Sequence, residues 1–179
     1  EQKNKNITDS INYAKNIQES VLPNIKMLTD FFSSAFIYYN PRDIVSGDFY
    51  WFKQKGDYLV IASADCTGHG IPGALLSMLG SELLNQIVLD PTINSPAKAV
   101  ESLDKGIYEA INRSGESHQK DGIDLSLCTF KSNSNSFKFS GARRPIIVYD
   151  GNEINMYNSI PFSIGEIHLM KEKPKEIEI

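Results

Sequence analysis

Residues 46–74 read SGDFYWFKQKGDYLVIASADCTGHGIPGA and carry most of the information about the fold. Two segments rich in aromatic and β-branched residues, Asp48–Phe52 and Tyr58–Ala64, are predicted to be strands. The dipeptide Gly56-Asp57 between them is typical of a two-residue hairpin turn. The stretch therefore predicts an antiparallel hairpin that leads into a glycine-rich turn at residues 65–70.

The register of this hairpin brings two acidic residues face to face. If the turn has two central residues, Asp48 lies directly opposite Asp65, with β-carbons about 4.5–5.5 Å apart, and like charges there are destabilising. Carboxylates at a strand end suit Mg²⁺ or Mn²⁺ with retained waters. Gly68 and Gly70 allow close backbone approach just before a predicted helix start, which favours anions. The pair therefore predicts a metal site, whereas either aspartate alone is explained as well by capping a turn or a helix.

Length and composition narrow the class of protein. A chain of 179 residues supports one compact domain, or one domain with a short appendage. The net charge of −4 offers no basic surface for nucleic acid. Cys66 and Cys128 form no CxxC pair, which indicates a reducing compartment such as the cytoplasm. The sequence has no apolar run of about 20 residues, so we expect no membrane contact by this chain.

The remaining elements are predicted from the periodicity of apolar residues. Helical spacing predicts helices over Ile7–Leu22, Gly73–Leu89 and residues 95–112, followed by a loop at 113–122. Residues 171–179 are predicted to be an edge strand or a frayed end. Together these elements predict an α+β layered domain. Further strands are predicted at Phe36–Tyr39, Leu125–Phe130, Ser136–Ser140, Ile146–Tyr149 and residues 153–154.

The first predicted helix has two interpretations. It ends at Pro23 and has a polar outer face, as a helix lying on the surface of a domain would. It is equally explained as the end of a coiled coil from an upstream sensor in a longer parent protein, because its apolar seam is too short to decide. We therefore divide the chain into a linker or regulatory helix at 1–24 and a domain at 25–179.

Three sequence blocks resemble a known family. They are Gly47-Asp48-Phe49-Tyr50, residues 64–74 (ADCTGHGIPGA) and residues 17–23 (IQESVLP). In their chain order, 17–23, 47–50 and 64–74, they resemble the bacterial phosphatase domain of the stage II sporulation protein E type, a branch of the metal-dependent (PPM) serine/threonine phosphatases. Weaker similarity continues through residues 122–128, Ser140-Gly141-Ala142 with Pro145, and residues 161–165.

The resemblance implies an α-β-β-α sandwich with a binuclear Mg²⁺ or Mn²⁺ centre. Asp48 and Asp65 match the first two metal aspartates, and Cys66 takes the position whose backbone carbonyl is a ligand. Two such metals activate a shared water for in-line attack on phosphorus. Cys66 is therefore not expected to be a nucleophile, and no arginine follows it at the spacing of a Cys-x5-Arg loop.

Two motifs that the resemblance implies do not occur in the sequence. The family's later metal aspartates come from a Thr-Asp-Gly block and from an Asp-Asp near the end of the domain. The resemblance therefore predicts a domain whose C-terminal part is missing here. With only two of the carboxylates, we expect weaker affinity for divalent cations and weak or no activity from this chain alone.

Three functional hypotheses remain open at this stage. By resemblance, the chain is a phosphatase domain of a cytoplasmic bacterial signalling protein whose parent is soluble or membrane-anchored. Its substrate would be a phosphoserine or phosphothreonine on a regulatory protein, by analogy an anti-sigma-factor antagonist. The alternative is a non-catalytic module of the same fold that binds a partner or phosphoprotein. A third is that only the N-terminal helix matters, as an oligomerising regulatory segment that forms a homodimer.

Five further residues have both a functional and a structural explanation. His69 is a candidate proton donor to the leaving group or a solvated loop residue. Arg42 is a candidate phosphate ligand or one half of a surface ion pair with Asp43 or another carboxylate. Arg143 and Arg144 are candidates for recognising a phosphorylated protein or are solvated loop charges. Asp124 either reaches the metal region or begins a strand.

Overall fold

A computed structural model of the chain describes residues 2–112, 121–170 and 172–179. Of the loop predicted at 113–122, residues 113–120 lie outside the described residues. The helices and strands, in chain order, are α1 (Gln2–Val21), α2 (Lys26–Phe31), β1 (Asp48–Lys55), β2 (Tyr58–Cys66), α3 (Gly70–Leu89), α4 (Pro96–Ile111), β3 (Ile123–Lys131), β4 (Phe137–Ala142), β5 (Ile146–Tyr149), β6 (Ile154–Tyr157) and β7 (Ile177–Glu178).

The centre of the fold is a five-stranded antiparallel sheet. Its strand order is β1-β2-β3-β4-β7, and β5 and β6 form a separate hairpin. The predicted hairpin register is confirmed, because Asp48 lies opposite Asp65 and Gly56 has a φ of +58° in the turn. The α+β class is confirmed as well. The C-terminal segment adds an edge strand, since Ile177 pairs with Phe139 of β4.

Helices α3 and α4 cover one face of this sheet. Alternate residues of the strands point toward them, as the period of two in a strand requires. The helices bury their own apolar side chains in the same cluster, and α4 is capped by the Ser95 hydroxyl, which accepts from the Lys98 N–H. The main buried members of this core are Phe49, Trp51, Val60, Ala62, Leu84, Val100, Leu103, Ile107, Ile123, Leu125 and Leu127.

The opposite face of the sheet is covered by residues 26–39. Leu28 of α2 packs with Phe52 and Leu59. The predicted strand at Phe36–Tyr39 is wrong, since these residues have no regular secondary structure. The segment crosses the face of the sheet instead of pairing with its edge: Tyr39 packs edge-on against Tyr50, whereas Phe36 is 87% exposed. Alternating aromatic residues produce the same pattern in both arrangements.

Helix α1 is attached to the domain by one buried residue, Gln18. The Gln18 amide donates to the Ser46 carbonyl at 2.6 Å and to the Ser77 hydroxyl at 2.8 Å, and it accepts from the Ser46 N–H at 3.0 Å. The N-terminal part of α1, from Gln2 to Ser10, is exposed. The division at residue 24 and the homodimer through this helix stay predictions. No helix within the described residues has the length and apolar character needed to cross a bilayer.

Three glycines bring the start of β1 against the turn that follows β2. A β-carbon on Gly73 would lie 2.8 Å from the Gly68 carbonyl oxygen and 3.1 Å from the Gly47 α-carbon. A β-carbon on Gly47 would lie 3.1 Å from the carbonyl oxygens of both Gly68 and Cys66. Backbone therefore packs directly on backbone behind the two aspartates.

We expect the Gly73→Ala substitution to destabilise the protein by about 1–3 kcal/mol, because the added methyl group meets backbone that cannot move aside. Thermal unfolding monitored by circular dichroism measures the effect. Gly106→Ala is the matched control, since its β-carbon would meet only side-chain atoms of Leu83 at 3.3 Å. The free energy of unfolding of Gly106→Ala should lie within about 1 kcal/mol of that of the wild-type protein. Equal stability of both variants would contradict the proposed glycine contact.

Candidate metal centre

Asp48 and Asp65 lie at the same end of the central hairpin and on the same face. Asp48 is the first residue of β1, and Asp65 is the second-last residue of β2. Both line an open cleft of about 840 Å³, together with Tyr39 and Arg144. The Tyr39 hydroxyl donates to the Asp48 backbone carbonyl at 3.3 Å. The segment that was mispredicted as a strand therefore forms one wall of this cleft.

The pKa of Asp48 shows the effect of a second carboxylate held close to it. The pKa of Asp48 is raised, first by burial and then by the negative charge of Asp65, while the charge of Arg144 opposes the shift. Burial and a like charge both disfavour the ionised carboxylate. The site therefore favours the binding of positive charge near Asp48.

Part of that positive charge comes from the loop after β4. The Arg144 guanidinium forms an ion pair with Asp65, and the Arg143 Nε lies 3.5 Å from Asp124 Oδ2. Arg143 has a φ of +55°, and the Arg144 N–H donates to the Ala142 carbonyl at 2.8 Å. This tight turn directs Arg143 toward Asp124 of β3 and Arg144 toward Asp65 of β2.

The structure adds a third carboxylate to the row. Asp124 of β3 lies opposite Asp65, so Asp48, Asp65 and Asp124 follow one another across three strands. Asp124 is already engaged, because the Ser163 hydroxyl donates to it at 2.5 Å and Arg143 pairs with it. Within the part of the chain that the structure describes, no three His, Cys, Asp or Glu side chains converge on one point.

Cys66 is placed so that its backbone and its side chain have different surroundings. Its carbonyl oxygen faces the backbone at Gly47, next to Asp48. Its side chain points into the helix-covered core, where burial raises the thiol pKa and the charges of Asp65 and Asp48 add to the shift. A thiol with a raised pKa is a poor nucleophile. This agrees with the expectation that Cys66 is not a nucleophile.

His69 and Arg42 lie outside this arrangement. The His69 Nδ1 is 3.2 Å from Asp43 Oδ2, and its side chain is 73% exposed. Asp43 was one of the ion-pair partners considered for Arg42, which is itself exposed. The structure thus gives His69 a surface partner and gives neither residue a contact with the aspartate pair.

The donor set fits a hard divalent cation. Two opposed carboxylates supply oxygen ligands, and the Cys66 carbonyl lies beside them. Mg²⁺ usually keeps several waters and needs only one or two carboxylates from the protein. The absence of a third converging side chain among the described residues is therefore compatible with such an ion. The roles of Asp48, Asp65 and Cys66 as ligands stay predictions.

Comparison with a solved structure defines the class of fold. The PP2C domain of SiaA from Pseudomonas aeruginosa matches 98% of this chain and 68% of its own chain, with a TM-score of 0.84 and 27% identity. The fold is therefore that of a PP2C-type phosphatase domain. The family model for stage II sporulation protein E (SpoIIE) matches residues 55–164, more than half of the chain. The chain belongs to the SpoIIE family of PP2C-type serine/threonine phosphatases.

Two further solved structures share the fold at lower identity. One holds the RsbU and RsbW domains of Rv1364c from Mycobacterium tuberculosis, with 15% identity, a TM-score of 0.58, and coverage of 77% of this chain and 36% of that chain. The other is RsbX in complex with magnesium, with 18% identity and a TM-score of 0.53. This match covers 75% of this chain and 60% of the RsbX chain. No curated protein sequence matches this chain significantly.

Sequence reasoning underestimated two residues of this site. The hairpin turn fixed the partner of Asp65 on one side, but β3 follows two helices, so no turn revealed Asp124 as its partner on the other side. Arg144 was considered only as a charge for substrate recognition or solvent. The adjacent Gly141-Ala142 and Pro145, which resemble a family block, were the available signal that this loop belongs to the site.

Proposed function

We propose that this chain is the phosphatase domain of a bacterial signalling protein that hydrolyses phosphoserine or phosphothreonine with a divalent metal. The observation that carries the proposal is the register of β1 and β2, which places two carboxylates directly opposite each other in a cleft. Like charges so placed are destabilising without compensation, and the Arg144 guanidinium forms its ion pair with Asp65 and not with Asp48. The family supports the reaction type, and the geometry supports Asp48 and Asp65 as the residues concerned.

In this proposal the residues of the chain bind and orient the reactants. Asp48, Asp65 and the Cys66 carbonyl would hold Mg²⁺ or Mn²⁺, in a binuclear centre if the full ligand set is present. When bound, the metal would supply an activated water and positive charge for the phosphoryl oxygens. The close backbone contact of Gly47, Gly68 and Gly73 supports the end of the hairpin that carries the two carboxylates. The Cys66 thiol stays out of the reaction, and attack by a metal-activated water would need no covalent enzyme intermediate.

The cofactor and the partner are proposed from the relatives. RsbX has been solved with magnesium, which supports a divalent cation here. Rv1364c contains an RsbU domain and an RsbW domain in one protein, which supports a role next to regulatory proteins. We therefore propose a phosphorylated regulatory protein as substrate, with an anti-sigma-factor antagonist as the first candidate.

Metal-dependent turnover tests the proposal. The protein, purified as its gene encodes it, is assayed with p-nitrophenyl phosphate and with a phosphoserine peptide. We expect hydrolysis in Mn²⁺ or Mg²⁺, loss of hydrolysis in EDTA, and recovery when Mn²⁺ is returned. Hydrolysis that persists in EDTA would contradict the proposal. Phosphopeptide binding without turnover under any of these conditions would favour the non-catalytic binding module.

A further inference from the structure

Arg144 forms an ion pair within the proposed metal site. Its guanidinium pairs with Oδ2 of Asp65, one of the two carboxylates assigned to the metal. Both side chains are partly exposed, at 41% and 45%, so the pair lies at the open cleft and not in the core. A divalent cation that enters this cleft therefore meets a carboxylate that already has a positive partner.

The loop backbone holds Arg144 at this position. Its N–H donates to the Ala142 carbonyl at 2.8 Å, and its carbonyl accepts from the Ser126 hydroxyl at 3.0 Å. Ser126 belongs to β3, the strand beside the one that carries Asp65. The backbone of Arg144 is thus tied to the sheet, while its partly exposed guanidinium lies at the cleft.

The guanidinium and a metal ion compete for the Asp65 carboxylate, whose Oδ2 the guanidinium occupies. A metal–oxygen bond of about 2.1 Å needs direct access to that oxygen. The hydrogen bonding of the Arg144 guanidinium is also incomplete, because its Nε is buried and has no hydrogen-bond partner among the described residues. An unsatisfied buried donor is costly, so the ion pair is a weaker competitor than a fully satisfied one.

We propose that Arg144 is a built-in counter-cation of the acidic pair, which Mg²⁺ or Mn²⁺ must displace from Asp65 in order to bind. This inference rests on the proposed metal site. It gives Arg144 a role that is separate from the binding of a protein substrate: it neutralises Asp65 in the metal-free state and lowers the apparent affinity for the metal.

Titration of Mn²⁺ by isothermal calorimetry tests this role. Removing Arg144 with the Arg144→Gln substitution should tighten Mn²⁺ binding by about threefold to tenfold, the range expected for the loss of a partly exposed, charge-assisted pair. Arg143→Gln is the matched control, because it removes the same charge from the adjacent residue, whose partner is Asp124. The control should change the affinity by less than about twofold, since it leaves Asp65 untouched.

A second measurement follows the displacement itself. In protein labelled with ¹⁵N-arginine, the Nε–H resonance of Arg144, assigned by its absence from Arg144→Gln, should shift on addition of diamagnetic Mg²⁺. The Arg143 resonance should shift less.

The outcomes separate the two proposals. Tighter binding in Arg144→Gln alone, together with the Arg144 shift, supports displacement. Displacement is overturned if Arg144→Gln binds Mn²⁺ no more tightly than the wild-type protein, if both variants bind it more tightly to the same extent, or if the Arg144 resonance does not move. In each of these cases, metal binding by the wild-type protein leaves the proposed function standing. If neither the wild-type protein nor Arg144→Gln binds Mn²⁺, both proposals fail.

Discussion

The Asp48→Asn variant is expected to lose more than about 100-fold of metal-dependent phosphatase activity. Replacing even the outer partners of metal ligands costs about 10- to 100-fold in affinity or activity, and Asp48 is assigned as a direct ligand. Asp65→Asn should lose a similar amount, because the two carboxylates hold the ion together. Steady-state hydrolysis of p-nitrophenyl phosphate in Mn²⁺, with the protein as its gene encodes it, measures both losses.

The same Asp48→Asn variant should be as stable as the wild-type protein, or more stable, when metal is absent. The pKa of Asp48 is raised in the folded state by burial and by Asp65. A raised carboxyl pKa means that stability is greatest below the unfolded-state pKa and is lost as the pH rises through the folded-state pKa. At neutral pH the ionised Asp48 therefore destabilises the metal-free protein, and the neutral amide removes that repulsion.

Thermal unfolding in EDTA separates this effect from simple damage to the fold. The stability advantage of Asp48→Asn over the wild-type protein should shrink as the pH falls from neutrality through the raised pKa of Asp48. Glu101→Gln, an exposed substitution on α4, is the charge-matched control and should show no such trend. A variant that is inactive because it unfolds, or one that retains its activity, would contradict the assigned role.

The second large effect is expected at Asp104, a carboxylate in α4 that is 2% exposed. It accepts the N–H groups of Gly165, Ile167 and His168 at 2.6, 3.0 and 2.9 Å, and it contacts His168 Nδ1 at 2.9 Å. These bonds fasten the segment that carries Ser163, the partner of Asp124. Asp104 therefore connects the stability of the core to the end of the sheet where the acidic row lies.

Asp104→Asn should lower the free energy of unfolding by about 3 kcal/mol or more. An amide has one acceptor oxygen where the carboxylate has two, so buried N–H donors are left unsatisfied. For a chain of this size the melting temperature should fall by about 6–12 °C. Glu109→Gln on the same helix is the control. Its pair with Lys105 is exposed and spans 3.8 Å, so the change should stay within about 0.5 kcal/mol. Equal melting temperatures for the two variants would contradict the role of Asp104.

The local signals in the sequence were sufficient for the central part of the fold. The Gly56-Asp57 turn determined which residues of β1 and β2 face each other, since a two-residue turn leaves one register. The helices α3 and α4 were found because their apolar residues recur at helical spacing. The pairing of Asp48 with Asp65 followed from the same turn.

The contacts that depend on long connections were not accessible from local patterns. Asp124 joins the acidic row only through the pairing of β2 with β3, which are separated by two helices. Arg144 reaches Asp65 from a loop 79 residues away in sequence. The buried position of Asp104 was not predicted because its partners are backbone N–H groups of a turn that is distant in sequence. Every residue except proline has a backbone N–H, so the identity of the residues does not reveal such a partner.

Anomalous diffraction from crystals soaked in MnCl₂ tests the central claim most directly. The account predicts an anomalous peak in the cleft between Asp48 and Asp65, within about 2.0–2.3 Å of a carboxylate oxygen of at least one and bridged by water to the other. It also predicts that the Arg144 guanidinium has left Asp65. Carboxyl groups that point to opposite faces of the sheet, or a manganese ion bound elsewhere while this cleft stays empty, would contradict it.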